Sequence, residues 1–209
     1  GHTGGTIDKV ETIKGMQTEL PLEQLQQAID KLGCFLIGQS SKVAPIDKKL
    51  YALRDITSTV DSIPFITASI MSKKLAEGLT GLVLDVKFGD GAFMKTSKKA
   101  LELAHSLADT ATSFGVDCYC FLTDMNAPLG EYVGNALEIY ESVEILKNRG
   151  DQELRQLSLQ LAAAMIFLGK KAPTFAKSYQ LAEEMLTSGK ALEKSRDMIA
   201  SKGGNTAFL

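Results

Sequence analysis

The chain has 209 residues, of which 44% are hydrophobic and 23% are charged, close to the usage of an average globular protein. Its formal net charge of -2 gives no basic surface for nucleic acid, and no apolar run approaches the roughly 20 residues of a membrane span. Neither nucleic acid nor a membrane is therefore an expected partner, and the length suits one domain or one and a half.

Short β-rich runs alternate with longer amphipathic stretches, a pattern that predicts an α/β fold. Strands are predicted at residues 33–38, 81–87 and 117–123. Helices are predicted at residues 22–32, 47–54, 64–77, 95–114, 134–148, 151–168, 178–188 and 190–201. Because the strands are short, apolar and separated by helices, we expect a mixed or parallel sheet flanked by helices.

The cysteines Cys34, Cys118 and Cys120 are odd in number and lack a CxxC spacing. They lie in apolar runs, so we predict small buried residues of a protein in a reducing compartment, the cytoplasm. With His2 and His105 as the only histidines, no His/Cys cluster is available for zinc. His105 has no partner nearby in the sequence and is interpreted as a packed or surface residue.

Residues 51–74 combine a guanidinium, hydroxyls and an ammonium in an otherwise apolar stretch, which favours a site for a polar ligand. Ser69 and Lys73 are four apart and fall on one face of any helix. Arg54 lies fifteen residues before Ser69, across a predicted break at residues 61–64. These donors can converge on one planar, oxygen-rich molecule. Solvent-facing side chains and a surface Arg-Asp pair would give the same pattern.

Two further segments space their glycines so that backbone N–H groups can approach an anion. The first is the opening segment 1–11, which contains Gly-His-Thr-Gly-Gly-Thr, and the second is the segment 82–94, which contains Gly-Asp-Gly-Ala-Phe. Thr6 at the end of the first motif would cap a helix that begins at Ile7, and a helix start can bind an anion as well.

In these three segments and in the block 122–141, the chain resembles the thymidine and pyrimidine-nucleoside phosphorylase family. The blocks occur in the family's order, and the similarity extends over nearly the whole chain. Members of that family are considerably longer. Their Ser-Gly-Arg-Gly run, N-terminal helices and Lys-His-Ser plus Thr-Gly-Gly phosphate loop have no counterpart here. The resemblance thus implies a fragment cut at Gly1, without the family's catalytic histidine.

The resemblance implies the lobes of a nucleoside phosphorylase or phosphoribosyltransferase-like fold. Residues 1–45 would begin the α/β lobe, residues 46–76 would form the base-binding segment of a small helical lobe, and residues 77–209 would supply the incomplete remainder of the α/β lobe. The family binds the pyrimidine on the helical lobe and phosphate on the α/β lobe. Closure of the cleft would bring the two together.

The implied activity is that of a pentosyltransferase in pyrimidine-nucleoside metabolism and nucleotide salvage. Phosphate attacks the anomeric carbon, and the pyrimidine departs with developing negative charge. Arg54, Ser69 and Lys73 match the base-binding positions. The cationic Arg54 and Lys73 are the implied catalytic groups, because their contacts strengthen as that charge develops. Thr6 matches a phosphate-contacting threonine.

The resemblance also implies residues that line the pocket for the base and the sugar. Ordinary core packing explains two of them, Val60 and Ile66, equally well. Phe93 has the better claim, because a large aromatic residue in a glycine-rich loop is harder to explain by core packing. The matching positions are Tyr51, Val60, Ile66 and Phe93.

The implied ligands are phosphate as co-substrate, a pyrimidine nucleoside and no organic cofactor, and the parent protein would be a homodimer. In the full-length parent, a potassium ion would lie near Leu129, Tyr132 and Glu141, held by backbone carbonyls and the glutamate. Because any residue type supplies a carbonyl, the tyrosine at this position does not forbid the site. Glu141 would otherwise be a solvated residue on a helix.

Two other functions stay open beside a phosphorylase whose isolated fragment is weakly active or inactive. One is a relative of the anthranilate-type phosphoribosyltransferases, which bind phosphoribosyl pyrophosphate with magnesium. Arg54, Ser69 and Lys73 argue against it, because an anthranilate site needs no group that reads a pyrimidine edge. The other is a non-catalytic assembly domain, for which the helix-rich residues 151–201 would provide the surface.

Overall fold

A computed structural model describes residues 5–19, 22–36, 38, 46 and 62–209. By contacts the chain forms two compact units: the first comprises residues 1–40, 130–158 and 181–209, and the second comprises residues 41–129 and 159–180. Nowhere in the described part of the chain is there a helix with the length and apolar character needed to cross a membrane.

Within the described residues, the elements are helices and two strands, numbered in chain order. They are α1 (Thr6–Val10), α2 (Leu22–Leu32), α3 (Ile63–Ala76), β1 (Gly81–Phe88), α4 (Ser97–Ser113), β2 (Asp117–Asp124), α5 (Asn135–Leu146), α6 (Gln152–Leu168), α7 (Phe175–Thr187) and α8 (Lys190–Ser201).

The second unit is built on the parallel pair β1 and β2, with α4 as the connection between them. The register runs from Gly81 opposite Asp117 to Phe88 opposite Asp124. Parallel neighbours require such a crossover, because a tight turn can join only antiparallel strands. The expectation of an α/β fold with a parallel sheet flanked by helices is confirmed.

The core of the second unit lies between β1, α3 and α4. One face of β1 is apolar because alternate side chains of a strand point the same way, and α4 contributes small and branched residues at helical spacing. The buried members are Met71, Leu82, Val86, Met94, Ala100, Leu103, Ala104, Leu107, Ala111 and Val116.

The first unit is held together partly by backbone hydrogen bonds between its N-terminal segment and the end of α8. Gln17 N–H donates to the carbonyl of Lys202 at 3.0 Å, and Asn205 N–H donates to that of Lys14 at 2.8 Å. The buried apolar side chains of this unit include Ile13, Val143, Ile145 and Ile199.

Every predicted helix within the described residues is present, with ends displaced by at most three residues. The largest displacement is at α7, which starts at Phe175 because Thr174 caps it: the Thr174 hydroxyl accepts the N–H of Lys177 at 3.2 Å. Strands 81–87 and 117–123 are confirmed, and helix 47–54 lies outside the described residues.

The predicted strand at 33–38 is wrong, since residues 34–36 and 38 belong to no strand. Among the described residues, its Gly33 N–H donates to the carbonyl of Ile29 at 2.7 Å and its Gly38 N–H to that of Thr18 at 2.8 Å, and neither acceptor belongs to a strand. An apolar run becomes a strand only when a neighbouring strand supplies a ladder. Cys34 is exposed rather than buried, and Cys118 and Cys120 are only partly buried, so the burial predicted for the cysteines is corrected as well.

Candidate functional site

Helix α3 brings together two of the donors predicted for a pyrimidine. The ammonium of Lys73 donates to Ser69 Oγ at 3.2 Å, and both side chains are half-buried. The helix begins after Ser62, with Pro64 in the first turn, where a missing N–H interrupts no helical bond. Ser69 and Lys73 therefore lie one turn apart on a regular helix, which fixes the spacing between their side chains.

The neighbouring face of α3 is anchored in the core of the second unit. The hydroxyls of Thr67 and Ser106 are 2.9 Å apart, which joins α3 to α4, and Met71 is only 2% exposed. Ile66 is half-buried and packs against the same core. Core packing thus accounts for the burial of Ile66, and its role as a pocket residue stays a prediction. The anchored face sets the direction in which Ser69 and Lys73 point.

The loop after β1 presents Phe93, which is 55% exposed, between the buried Ala92 and Met94. Its shape depends on a close backbone approach at Gly89, where φ is +116° and a Cβ atom would lie 2.7 Å from the side-chain oxygen of Asn126. That same Asn126 oxygen accepts the N–H of Asp90 at 3.0 Å. The glycine-rich segment therefore holds the Phe93 side chain outside the core, and its role as a pocket residue stays a prediction.

A closed polar triad lies near the carboxyl ends of β1 and β2, where ligands of α/β proteins are often bound. The ammonium of Lys87 donates to Asp85 Oδ2 at 2.7 Å and to Thr123 Oγ1 at 3.0 Å, and the Thr123 hydroxyl donates to Asp85. Each member is satisfied by the other two, so the triad ties the strands together. Sequence reasoning missed Thr123, because only the parallel register places it opposite Lys87.

In the first unit, Thr6 is the first residue of α1 and is exposed to solvent. The residue at the cap position is Gly5, whose N–H donates to the Asp8 carboxylate at 2.9 Å, so the alternative of Thr6 as the helix cap is wrong. An ion pair between Lys9 and Glu138 links α1 to α5. The hydrogen bond from Lys9 holds the pKa of the Glu138 carboxyl below its usual range.

Glu141 is a buried residue of α5, only 4% exposed, so the alternative of a solvated helix residue is wrong. Its carboxylate accepts the N–H of Glu131 at 2.6 Å. The backbone at Gly130 lies so close that a Cβ atom there would be 2.5 and 2.6 Å from the two carboxylate oxygens. Tyr132 packs edge-on against Tyr140. Hard cations bind oxygen ligands, and a buried carboxylate beside a loop can supply such a ligand.

The other predicted positions are distributed as follows. Tyr51, Arg54, Val60 and His2 lie outside the described residues. Thr6, Tyr132 and Glu141 belong to the first unit, whereas Leu129 and the α3 residues belong to the second. His105 is exposed on α4. Within the described ranges, no group of three or more His, Cys, Asp or Glu side chains could hold a metal ion.

Comparison with known proteins gives a consistent result. The family model described as "Glycosyl transferase family, a/b domain" matches residues 1–192. Over all 209 residues, the chain is 46% identical to pyrimidine-nucleoside phosphorylase from Bacillus subtilis (strain 168), 45% to that from Staphylococcus aureus (strain USA300) and 44% to that from Staphylococcus haemolyticus (strain JCSC1435). It covers 48% of each, about half the length of these relatives. The resemblance seen in the sequence motifs is confirmed.

Proposed function

We propose that the complete protein is a pyrimidine-nucleoside phosphorylase. The chain belongs to the glycosyl transferase family, since the model of that family's a/b domain matches residues 1–192. The complete protein converts a pyrimidine nucleoside and phosphate into the free base and a (deoxy)ribose 1-phosphate. Relatives of that name at 44–46% identity support the proposal. The structural observation that best supports the proposed chemistry is the half-buried pair of Ser69 and Lys73, whose hydroxyl oxygen and ammonium nitrogen are 3.2 Å apart.

In the proposed reaction, the glycosidic bond lengthens and negative charge builds up on the departing pyrimidine. The Lys73 ammonium donates to the O2 carbonyl oxygen of the base, and its bond to Ser69 keeps the ammonium oriented before the base arrives. Arg54 donates in a forked geometry to the opposite edge of the base. Arg54 and Lys73 are the catalytic groups of the proposal, because their interaction with the base strengthens as the charge develops.

The remaining positions complete the proposal. Thr6 contacts phosphate with its exposed hydroxyl, and the catalytic histidine comes from outside this chain. The base and sugar contact Tyr51, Val60, Ile66 and Phe93.

A potassium ion in the complete protein would be held by the Glu141 carboxylate and by backbone carbonyls at Leu129 and Tyr132. The ion would supply positive charge to fix the loop beside Glu141. The buried carboxylate, already bonded to a backbone N–H, supports this assignment. We further propose a cytoplasmic homodimer that acts in nucleoside salvage.

The test is release of free base by the complete protein, followed by ultraviolet absorbance with thymidine and with uridine, each with and without phosphate. We expect release from at least one nucleoside, and only when phosphate is present. No release from either nucleoside, together with magnesium-dependent binding of phosphoribosyl pyrophosphate, would contradict the proposal in favour of a phosphoribosyltransferase.

A further inference from the structure

Cys118 and Cys120 form a close pair of thiols that the proposed reaction does not use. They are two positions apart on β2 and therefore point to the same face of the strand. Their sulfur atoms are 3.8 Å apart, and the Cys120 thiol also donates to the carbonyl of Ala104 on α4 at 3.8 Å. Both thiols are free and partly exposed.

A direct disulfide between these two sulfurs is disfavoured by the strand. Residues i and i+2 of a β-strand have Cα atoms about 6.6 Å apart, from two rises of about 3.3 Å. That separation is at the upper end of the range a disulfide spans, so the bond would be strained and readily reduced. A bridging atom bonded to both sulfurs removes this conflict, because the sulfurs then need not come into bonding contact.

The donor set decides which bridging atom fits. Thiolates select soft metals and metalloids. No group of three or more His, Cys, Asp or Glu side chains that could hold a metal ion is found in the residues the structure describes, so four protein ligands for zinc are not assembled at this pair. The atom that binds both sulfurs must therefore already carry its own third substituent. A trivalent arsenic atom that carries one organic group meets this requirement with two sulfur ligands.

We propose that Cys118 and Cys120 are a chelating site for monosubstituted trivalent arsenicals. With an arsenoxide R–As=O, both S–H bonds break and two As–S bonds form. The oxygen leaves as water with the two thiol protons, and arsenic keeps its oxidation state. The product is a ring of two sulfurs, one arsenic and the backbone of three residues.

The hydrogen bond between the thiols favours the first step. It holds the pKa of Cys120 below its usual range, whereas the same bond, followed by burial, raises the pKa of Cys118. Because the thiolate is the nucleophile, Cys120 attacks first. Cys118 then closes the ring from 3.8 Å away.

The test uses phenylarsine oxide at one equivalent per chain, followed by iodoacetamide, intact mass and peptide mapping. The exposed Cys34 is an internal control, since it is a single thiol. We expect one arsenic per chain, with Cys118 and Cys120 protected and Cys34 alkylated. The adduct should survive excess 2-mercaptoethanol and be removed by 2,3-dimercaptopropanol. Alkylation of Cys118 and Cys120, or removal by 2-mercaptoethanol, would overturn the proposal.

Single substitutions sharpen the test. Cys118→Ser and Cys120→Ser should each lose the adduct that resists 2-mercaptoethanol, whereas Cys34→Ser should keep it. A resistant adduct in either Cys118→Ser or Cys120→Ser would overturn the chelate. Circular dichroism checks that the variants are folded. If a variant does not fold, the pattern of protected cysteines in the unsubstituted protein still tests the proposed chelate. None of these readouts depends on turnover.

Discussion

The polar side chains on α3 are more accessible to a ligand than the polar side chains buried in the first unit. Ser69 and Lys73 are half-buried and bonded to each other, so an arriving ligand can replace or share that bond. Glu141 is buried and bonded to a backbone N–H, and Lys202 is 2% exposed with no hydrogen-bond partner for its ammonium nitrogen among the described residues. The α3 pair is thus within reach of solvent and ligand, whereas the side chains of Glu141 and Lys202 are enclosed in the first unit.

The largest expected effect is on turnover, from Lys73→Ala in the complete protein. Loss of one donor to developing charge should lower kcat/KM by about 10²–10³. The melting temperature should change little, because Lys73 is only half-buried. Lys74→Ala is the matched control, since Lys74 pairs with Glu77 at 3.1 Å on the same helix and has no role in the proposal. Equal losses of kcat/KM in the two variants would contradict the assignment.

The second effect is on stability, from Gly130→Ala. The new Cβ atom would lie 2.5 Å from a Glu141 carboxylate oxygen, and φ at this position is +80°. We expect a loss of about 2–4 kcal/mol in the free energy of unfolding, measured with urea. Gly33→Ala is the control: its φ is +72°, but no atom lies within 4 Å of the added Cβ. It should cost only about 1 kcal/mol, from backbone strain alone.

Replacing Lys202 by methionine should instead stabilise the protein. A buried amine without a partner costs free energy that an apolar side chain of similar length does not, so Lys202→Met should gain about 1–2 kcal/mol at pH 7.

The free energy of unfolding should depend on pH through the protonation of Lys202. Burial lowers the pKa of Lys202, so between that value and the ordinary pKa the unfolded state binds more protons. The stability of the unsubstituted protein should therefore rise with pH, and the advantage of the variant should shrink towards about pH 10. Lys14→Met, at an exposed position, should show neither effect. A constant advantage at all pH values would show that the charge of Lys202 is not the cause.

The smallest effect is expected at the bond that anchors α3. Thr67→Val removes the hydroxyl that lies 2.9 Å from that of Ser106 and should cost about 1 kcal/mol in the free energy of unfolding. A double-mutant cycle with Ser106→Ala measures the coupling, which should account for most of that loss. Absence of coupling would mean that the two hydroxyls do not stabilise each other.

Sequence periodicity located most elements because the apolar faces of α3 and α4 and the short apolar strands repeat at the helical and strand periods. It placed Ser69 and Lys73 together for the same reason. The strand at 33–38 could not be excluded from sequence, since strand formation depends on a partner elsewhere in the chain. The burial of Glu141 and Lys202 and the bond to Thr123 also depend on contacts between distant segments, which no local pattern contains.

The most direct test of the central claim is ³¹P nuclear magnetic resonance of the complete protein with a pyrimidine nucleoside and inorganic phosphate. A phosphorylase transfers the sugar to phosphate, so we predict a growing signal of (deoxy)ribose 1-phosphate that matches the amount of free base released. Release of the base with no phosphate incorporated would identify a hydrolase and would contradict the account.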